Sequence, residues 1–575
     1  MIQSTDMTPF PESVPEALRA ALGAYDDFTA GLLARRGIDT AEAAEAFLSP
    51  SYDEHIGDPM RILNMPRAAK RIAQAIDSHE RIGVWSDYDC DGIPGGVLFH
   101  DFLKKVGANF TNYIPHRHEE GFGLNEGGID KLHKDGVSLL ITIDCGIADV
   151  DAVAYASSLG IDVIVTDHHL PGVLPDAYAV VDPKQEGETN SYTDFCGAGL
   201  AWKLVCAVLK HGFTGRENIP EGWEKWLLDM AGMATIADMV PLTGENRVIA
   251  RYGLLVMRKS RRLGLQKLCK VARVDQRKIT EDDVGFMLAP RINAASRMGN
   301  PTDAFRLLTT EDEVEADTLA KELERINRSR RAAAAAITKA VHARLSDRTE
   351  IPAVIAMGDP EWRPGLLGLV ANSLAEEYER PVFLWGREAN MRAKGSCRAG
   401  KKGMHVVRIM EAAKDVFKEY GGHAASGGFT VHDDQVFFLE EKLNEALHTL
   451  GDMAEKELLH DADAEVHPEE VGVRLLSSLE KLAPFGMGNP KPVFLLRSVL
   501  IHEVSWFGKA DEHLRVRIMH DRGMMEAVAF FAKRDFGKEA EGLRSGNNAT
   551  ILANVERDQF SRRNPVRLRL VAIRK

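Results

Sequence analysis

Between Glu80 and about Val240 the chain repeats one pattern, in which a short β-branched apolar run leads into a turn bearing Asp or Gly and then a helical stretch. Three of these runs, RIGVWSD, SLLITID and IDVIVTD, are apolar without alternation. A strand covered on one face alternates, whereas a continuous run suits a strand covered on both, so the pattern predicts a parallel α/β sheet. Ligands of such sheets lie at the carboxyl ends of the strands, and each run ends there in an aspartate. After Thr309 the stretch EDEVEADTLAKELERINRSRRAAAAAITKAVHARL lacks Gly and Pro, which predicts one connecting helix over 309–348. At 1.5 Å per residue it is a rod of roughly 50 Å. A second α/β unit, opened by IPAVIAM, is expected over 349–461. The runs PVFLLRSVLI, LRVRIM, MEAVAF and VRLRLVAIRK predict a small β-barrel over 462–575. Residues 1–45 read as a helical lead-in and 46–308 as the first domain.

Composition narrows the class. A chain of 575 residues exceeds one hydrophobic core, and its 45% hydrophobic and 27% charged content is that of a folded globular protein of three or four domains. The amino-terminal segment lacks a basic start followed by an apolar core, and no segment holds ~18 uninterrupted apolar residues, so a soluble, cytoplasmic protein with no membrane contact is expected. Cys90, Cys145, Cys196, Cys206, Cys269 and Cys397 show neither CxxC pairing nor zinc spacing and are expected as reduced thiols. A net charge of −13 argues against coating duplex DNA by bulk electrostatics. Basic residues nevertheless cluster at Arg251–Lys278 and Arg392–Lys402, either lining a channel or forming solvated faces.

The chemistry gathers at the strand ends. Asp87, Asp89 and Asp91 in SDYDCDG stand at alternate positions, which in an extended chain would point to one common side. Three converging carboxylates repel, so either a divalent cation neutralises them or the segment is an exposed turn. Company favours the cation: Asp144 ends LLITID, Asp167 ends IDVIVTD and is followed by His168 and His169, and Asp238 lies in TIADMVPL. Carboxylates with one or two imidazoles suit Mn²⁺ or Mg²⁺ better than zinc. Two such ions ~3.5–4 Å apart can bridge a phosphate, activate water and stabilise attacking and leaving oxygens.

SDYDCDG, ITIDCGI, VTDHH and ATIADMVPL resemble, in order, four motifs of the RecJ branch of the DHH phosphoesterases. The resemblance implies that Asp87, Asp89, Asp91, Asp144, His168 and Asp238 hold metal, with a supporting role also open to Asp87. It implies that His169 contacts the scissile phosphate and that Asp167 orients a histidine. APRINAASRMGNP, with Arg291 and Asn293, resembles a segment that reaches the substrate phosphate. KGSCRAG, with Ser396 and Arg398, resembles a phosphate-binding strand, and GGHAASGGF, with His423, resembles the glycine-rich signature of the DHH-associated domain. Cys397, Ala399 and Arg363 depart from the residues the family more often shows. Arg117 and Phe122 in PHRHEEGFGLN resemble residues that hold the 5′-terminal nucleotides, and LAPFGMGNPKPVF resembles the lead into an oligonucleotide-binding barrel. Its candidate stacking aromatics are Trp506, Phe507, Phe530, Phe531 and Phe560.

The implied architecture is a parallel-sheet DHH domain joined by the long helix to a second α/β DHH-associated domain, followed by the barrel, with a cleft between the two domains. The implied activity is 5′-to-3′ hydrolysis of single-stranded DNA in repair and recombination by a monomer using two Mn²⁺ or Mg²⁺ ions, with single-strand-binding protein and a helicase as partners. One rival is a relative acting on oligoribonucleotides or other small phosphates, against which the barrel stands. The other is a non-catalytic scaffold, whose mark would be lost acidic ligands.

Overall fold

A computed structural model describes residues 16–387, 392–400, 404–451, 462–508, 511–521, 523–558 and 565–574. Lys401, Lys402 and Phe560 lie outside them. The chain forms two compact units, one of Ser13–Asn327 with Ser477–Lys491, the other holding Arg328–Leu476 and Pro492–Lys575.

The first unit is built on strands β1 (Arg81–Ser86), β2 (Asn109–Tyr113), β3 (Val137–Ile143), β4 (Asp162–Thr166) and β5 (Ala179–Val181), in the order β2-β1-β3-β4-β5. Every pairing is parallel. Successive residues feed opposite cores. Ile82, Val84, Leu139, Ile141, Ile143 and Ile164 pack with Phe99, Phe102 and Trp202, whereas Trp85, Leu140, Val163 and Val165 pack with Ile129, Leu132, Val153 and Ala156. Both faces are dry, which is why the runs are apolar without alternation. Helices α1 (Met65–Asp77), α2 (Gly92–Lys105) and α5 (Gly197–His211) supply the first core, and α3 (Glu126–Lys134) and α4 (Val150–Ser158) the second. Helices α6 (Leu228–Ala237) and α7 (Ala289–Met298) follow.

Residues 477–491 belong to this unit although they are distant in sequence. The buried Arg247 guanidinium donates to Leu482 O at 2.9 Å and Ala483 O at 3.1 Å, and also to Phe47 O at 2.6 Å. Leu242 N–H donates to Met487 O at 2.7 Å.

The connecting helix α8 runs from Glu313 to Ser346. It starts later than the 309 expected, because Asp312 caps it by accepting from Val314 N–H at 2.7 Å and Glu315 N–H at 2.8 Å.

In the second unit, strands β6 (Ile355–Gly358), β7 (Val382–Gly386), β8 (Lys394–Arg398), β9 (Phe417–Gly422) and β10 (Ser426–Val431) form a mixed sheet ordered β6-β7-β8-β10-β9, with helix α9 (Pro364–Tyr378) packed on β7 and β8. The barrel comprises β11 (Ala464–Glu465), β12 (Phe494–Phe507), β13 (His513–His520), β14 (Gly523–Ala529), β15 (Asn548–Arg557) and β16 (Val566–Arg574). The order β11-β12-β13-β14-β16-β15 is closed by β12–β15 pairing, so its long strands leave no free edge pair. The fold is α/β with a terminal β-barrel. All six cysteines are free, and among the described residues no helix is long and apolar enough to cross a membrane.

Candidate metal centre

The three strand-end aspartates are set side by side by the sheet itself. Asp87 N–H donates to Ile143 O at 3.1 Å, Asp144 N–H to Thr166 O at 3.0 Å and Asp167 N–H to Val181 O at 3.2 Å, so each is the last rung between neighbouring parallel strands. Asp144 then turns through left-handed backbone, φ 63°, unusual for a residue with a side chain. Helix α5 starts directly beneath it. A Cβ on Gly197 would lie 2.5 Å from the Asp144 Cβ, so only glycine fits.

The expectation that Asp87, Asp89 and Asp91 share one point through strand alternation is corrected by the structure. The segment is a turn, and Asp91 is already in helical conformation at the cap of α2. The side chains divide instead. Ligand atoms of Asp87, Asp89 and Asp144 lie within 4.8 Å of one another, as do those of Asp91, His168 and Asp238, and Asp144, His168 and His169 form a third such group joining the two. His168 Nε2 lies 3.1 Å from Asp144 Oδ1, 3.5 Å from Asp91 Oδ2 and 3.8 Å from Asp238 Oδ2.

The support around this set is mostly backbone. Asp89 Oδ1 accepts from Asp91 N–H at 2.7 Å and Gly92 N–H at 3.2 Å. Asp91 accepts from Gly197 N–H at 2.6 Å and Ala198 N–H at 2.7 Å in the first turn of α5, where the helix dipole favours an anion. Asp167 Oδ1 accepts from the His169 ring Nδ1–H at 2.8 Å and from His168 N–H at 2.7 Å, while Oδ2 accepts from Ile147 N–H at 3.0 Å. The Lys184 ammonium donates to the His168 carbonyl.

The electrostatics call for a cation. Burial, and then the charge of Asp89, pushes Asp87 well above the usual carboxylate range. Burial and the charges of Asp91, Asp89 and Asp87 do the same to Asp144. Asp91 is pushed up to about 6 and Asp238 to about 8, again by burial first and neighbouring carboxylates second. Burial lowers His168 to about 3, leaving its imidazole neutral and able to coordinate, whereas the bond to Asp167 raises His169 to about 9. Burial opposes the ionisation of Asp167, but its bonds to His169 outweigh that and hold it low. Asp87 Oδ1 and Asp144 Oδ1 are buried and accept no hydrogen bond, the His168 Nε2 that lies 3.1 Å from Asp144 Oδ1 making none to it. Unsatisfied buried oxygens facing one another fit a divalent ion, and a set rich in carboxylate oxygen with one neutral imidazole fits Mn²⁺ or Mg²⁺.

Around the ligands, the Arg117 guanidinium stacks 5.0 Å from the Tyr88 ring centroid, and the exposed Phe122 meets Tyr88 and His169 edge-on at 6.4 and 5.9 Å. Asn293 Oδ1 accepts the Cys90 N–H at 2.8 Å and so holds the aspartate turn. Arg291 is buried and committed to Glu324 on α8, with Nε at 2.8 Å and Nη2 at 2.7 Å from its carboxylate, and to the Met287 carbonyl.

The remaining sequence candidates lie in the second unit. Ser396 and Arg398 stand two apart on β8 and share one face, toward Gly368 of α9, whose added Cβ would sit 3.2 Å from Arg398 Nη2 and 3.6 Å from Ser396 Oγ. Burial lowers the Arg398 guanidinium below its ordinary value. Cys397 points the opposite way into the core, which accommodates that departure from the family pattern. His423 sits in the β9–β10 turn, exposed, its N–H donating to Ser426 O at 2.8 Å, and β10 pairs Ser426 with Arg398.

Sequence reasoning missed Gly197, Ala198 and Lys184. The glycine pair in FCGAG, at a helix start after the last sheet strand, was the available signal for the first two.

Three known domains match the chain: the DHH family N-terminal domain over residues 81–235, the DHHA1 domain over 350–456 and the RecJ OB domain over 462–572. The single-stranded-DNA-specific exonuclease RecJ of Bacillus subtilis is 35% identical over 94% of this chain and 67% of its own length. Its Escherichia coli counterpart is 29% identical over 87% of this chain and 88% of its own length. The crystal structure of RecJ in complex with Mn²⁺ from Thermus thermophilus superposes with a TM-score of 0.78 and 27% identity, covering 97% of this chain and 77% of that one. A second crystal structure, of exonuclease RecJ bound to manganese, gives a TM-score of 0.58 and 32% identity over 68% of this chain and 96% of that one. With a parallel-sheet metal centre, a DHH-associated sheet and a closed barrel following one another in the same chain, the protein belongs to the RecJ family of DHH phosphoesterases.

Proposed function

We propose that the protein is a single-stranded-DNA-specific exonuclease that hydrolyses phosphodiester bonds from the 5′ end with two divalent cations, in DNA repair and recombination. The observation that carries this reading is the division of the ligands into two adjoining groups, Asp87–Asp89–Asp144 and Asp91–His168–Asp238. Mn²⁺ or Mg²⁺ held there supplies charge neutralisation, activation of water and polarisation of the phosphodiester. The protein's own residues do the rest. His169, kept cationic and oriented by Asp167, donates to the scissile phosphate and offsets negative charge as it builds. Arg117 and Phe122 hold the 5′-terminal nucleotide. In the second unit, Ser396, Arg398 and His423 hold phosphate, Arg398 through the fork geometry lysine lacks. Asn293 acts through the turn it holds, and Arg291 would have to leave Glu324 to reach substrate. The substrate class is supported by the names of the relatives, and the barrel supports a strand over a small phosphate. A monomer in the cytoplasm, working with single-strand-binding protein and a helicase, completes the reading.

Single strands labelled separately at each end, with matching duplex and dinucleotide controls, test it. The expected result is Mn²⁺-dependent release of the 5′ label first, as a mononucleotide, with blunt duplex resistant. Preferential turnover of the dinucleotide, or first release of the 3′ label, would overturn it.

A further inference from the structure

Beside the highly charged centre, in contact with it or next to its residues along the chain, stand apolar side chains exposed to water. Phe122 is 53% exposed, Leu170 68%, Val173 79% and Met239 66%. Single exposed apolar residues are ordinary on any surface. These are concentrated: Phe122 touches His169, Leu170 is the residue after His169 with Val173 in the same loop, and Met239 is the residue after Asp238.

Met239 is the most informative of them. Asp238 caps α6, and Met239 follows in left-handed backbone with φ 62°. That place after a helix end is ordinarily filled by Gly or Asn, which adopt the conformation without strain. Here the chain holds a long unbranched apolar side chain in strained backbone and exposes most of it. Neither packing nor the turn explains that choice, since a glycine would serve both better.

We infer that Met239 and Leu170 are specificity-determining residues that contact the unpaired base beside the scissile phosphate. The inference rests on the function proposed above and adds to it the origin of strand selectivity. A metal centre that grips phosphate cannot distinguish one strand from two, because both present the same phosphate. A base can cover the rim only when its face is unstacked and its edge unpaired, so the rim is satisfied by single strands and left wet by duplex. Phosphate is gripped by charge at the centre, and the neighbouring base is gripped by apolar surface at its edge.

Met239→Gly tests the assignment because it relieves the backbone while removing the contact. Its melting temperature should equal or exceed that of the wild type, and its Mn²⁺ affinity by titration calorimetry should match. Its KM for a 5′-phosphorylated oligodeoxynucleotide should rise about tenfold with kcat within about twofold, as expected for lost apolar burial. Met239→Leu should restore KM, and Leu170→Ser should shift it in the same direction as Met239→Gly. On a strand with abasic residues at the first two positions, the ratio of Met239→Gly to wild type should fall below about twofold, since no base remains to contact. An unchanged KM on the normal strand, or an equal penalty on normal and abasic strands, overturns the inference while leaving the proposed function standing. A wild type that degrades neither strand with Mn²⁺ present overturns both.

Discussion

Asp144 belongs to two of the three ligand groups and sits in left-handed backbone above the start of α5. Its substitution should therefore separate stability from activity. Asn adopts left-handed backbone more readily than most residues, so Asp144→Asn removes charge without adding strain. Hydrolysis should fall by roughly a thousandfold, the scale of losing an electrostatic stabiliser of the transition state. The metal-free variant should melt above the metal-free wild type, because repulsion from Asp91, Asp89 and Asp87 is gone. Activity assays and thermal unfolding in chelator check both halves. Asp167→Asn makes a different prediction. The bond to Asp167 is the largest cause of the rise of His169 to about 9, so a step that needs the imidazolium declines only above that pH in the wild type. In the variant the alkaline limb of the pH–rate profile should move to lower pH, and an unmoved limb would assign it to another group.

Elements explain which parts of this centre could be read in advance. The strands RIGVWS, SLLITI and DVIVT were legible because burial on both faces leaves a continuous apolar signature, and Asp87, Asp144 and Asp167 because each strand stops at a carboxylate. The Asp91 cradle was not, since Gly197 and Ala198 act through backbone N–H groups that every non-proline residue possesses. The alternation of Asp87, Asp89 and Asp91 misled for a related reason: periodicity reports direction only while the backbone stays extended, and here it turns into α2. The packing of residues 477–491 against Arg247 left no local pattern either, because carbonyl acceptors carry no side-chain signature.

The barrel aromatics show the same division between legible type and illegible placement. Phe507, His513, Phe530 and Phe531 cluster with ring centroids 4.9 to 6.1 Å apart, with Arg569 4.5 Å from Phe530 and Arg515 5.2 Å from Phe507. Phe530→Ala should weaken single-strand binding by about tenfold with an unchanged salt slope, since stacking is lost and no phosphate contact is. Arg569→Ala should reduce the slope of log affinity against log salt by about 0.7. Fluorescence anisotropy at several salt concentrations distinguishes the two, and an identical effect from both would deny the surface a stacking role.

At the scale of the whole molecule, the acidic centre makes stability depend jointly on pH and metal. Asp91 and Asp238 are raised from 3.8 to about 6 and about 8, so between those limits the folded chain holds protons that the unfolded chain has lost. The stability of the metal-free protein must then fall as pH rises through this range. His169, raised from 6.5 to about 9, acts in the same direction above pH 6.5. His168, lowered from 6.5 to about 3, acts in the opposite direction but only below pH 6.5, where the unfolded imidazole is charged and the folded one is not. The contribution of Asp91 is largely lost by pH 6.5, and from there to pH 8 the falling contributions of Asp238 and His169 go unopposed. Ion binding requires those carboxylates deprotonated, so it must release protons and strengthen across the same window. At a free Mn²⁺ concentration about 100 times Kd each ion contributes about 2.7 kcal/mol, or roughly 3–6 °C per ion for a unit of this size. Melting curves in chelator should move down between pH 6.5 and 8 while the increment from Mn²⁺ grows. An increment independent of pH would mean that the carboxylates are already ionised in the metal-free fold, and that something other than a divalent ion balances them.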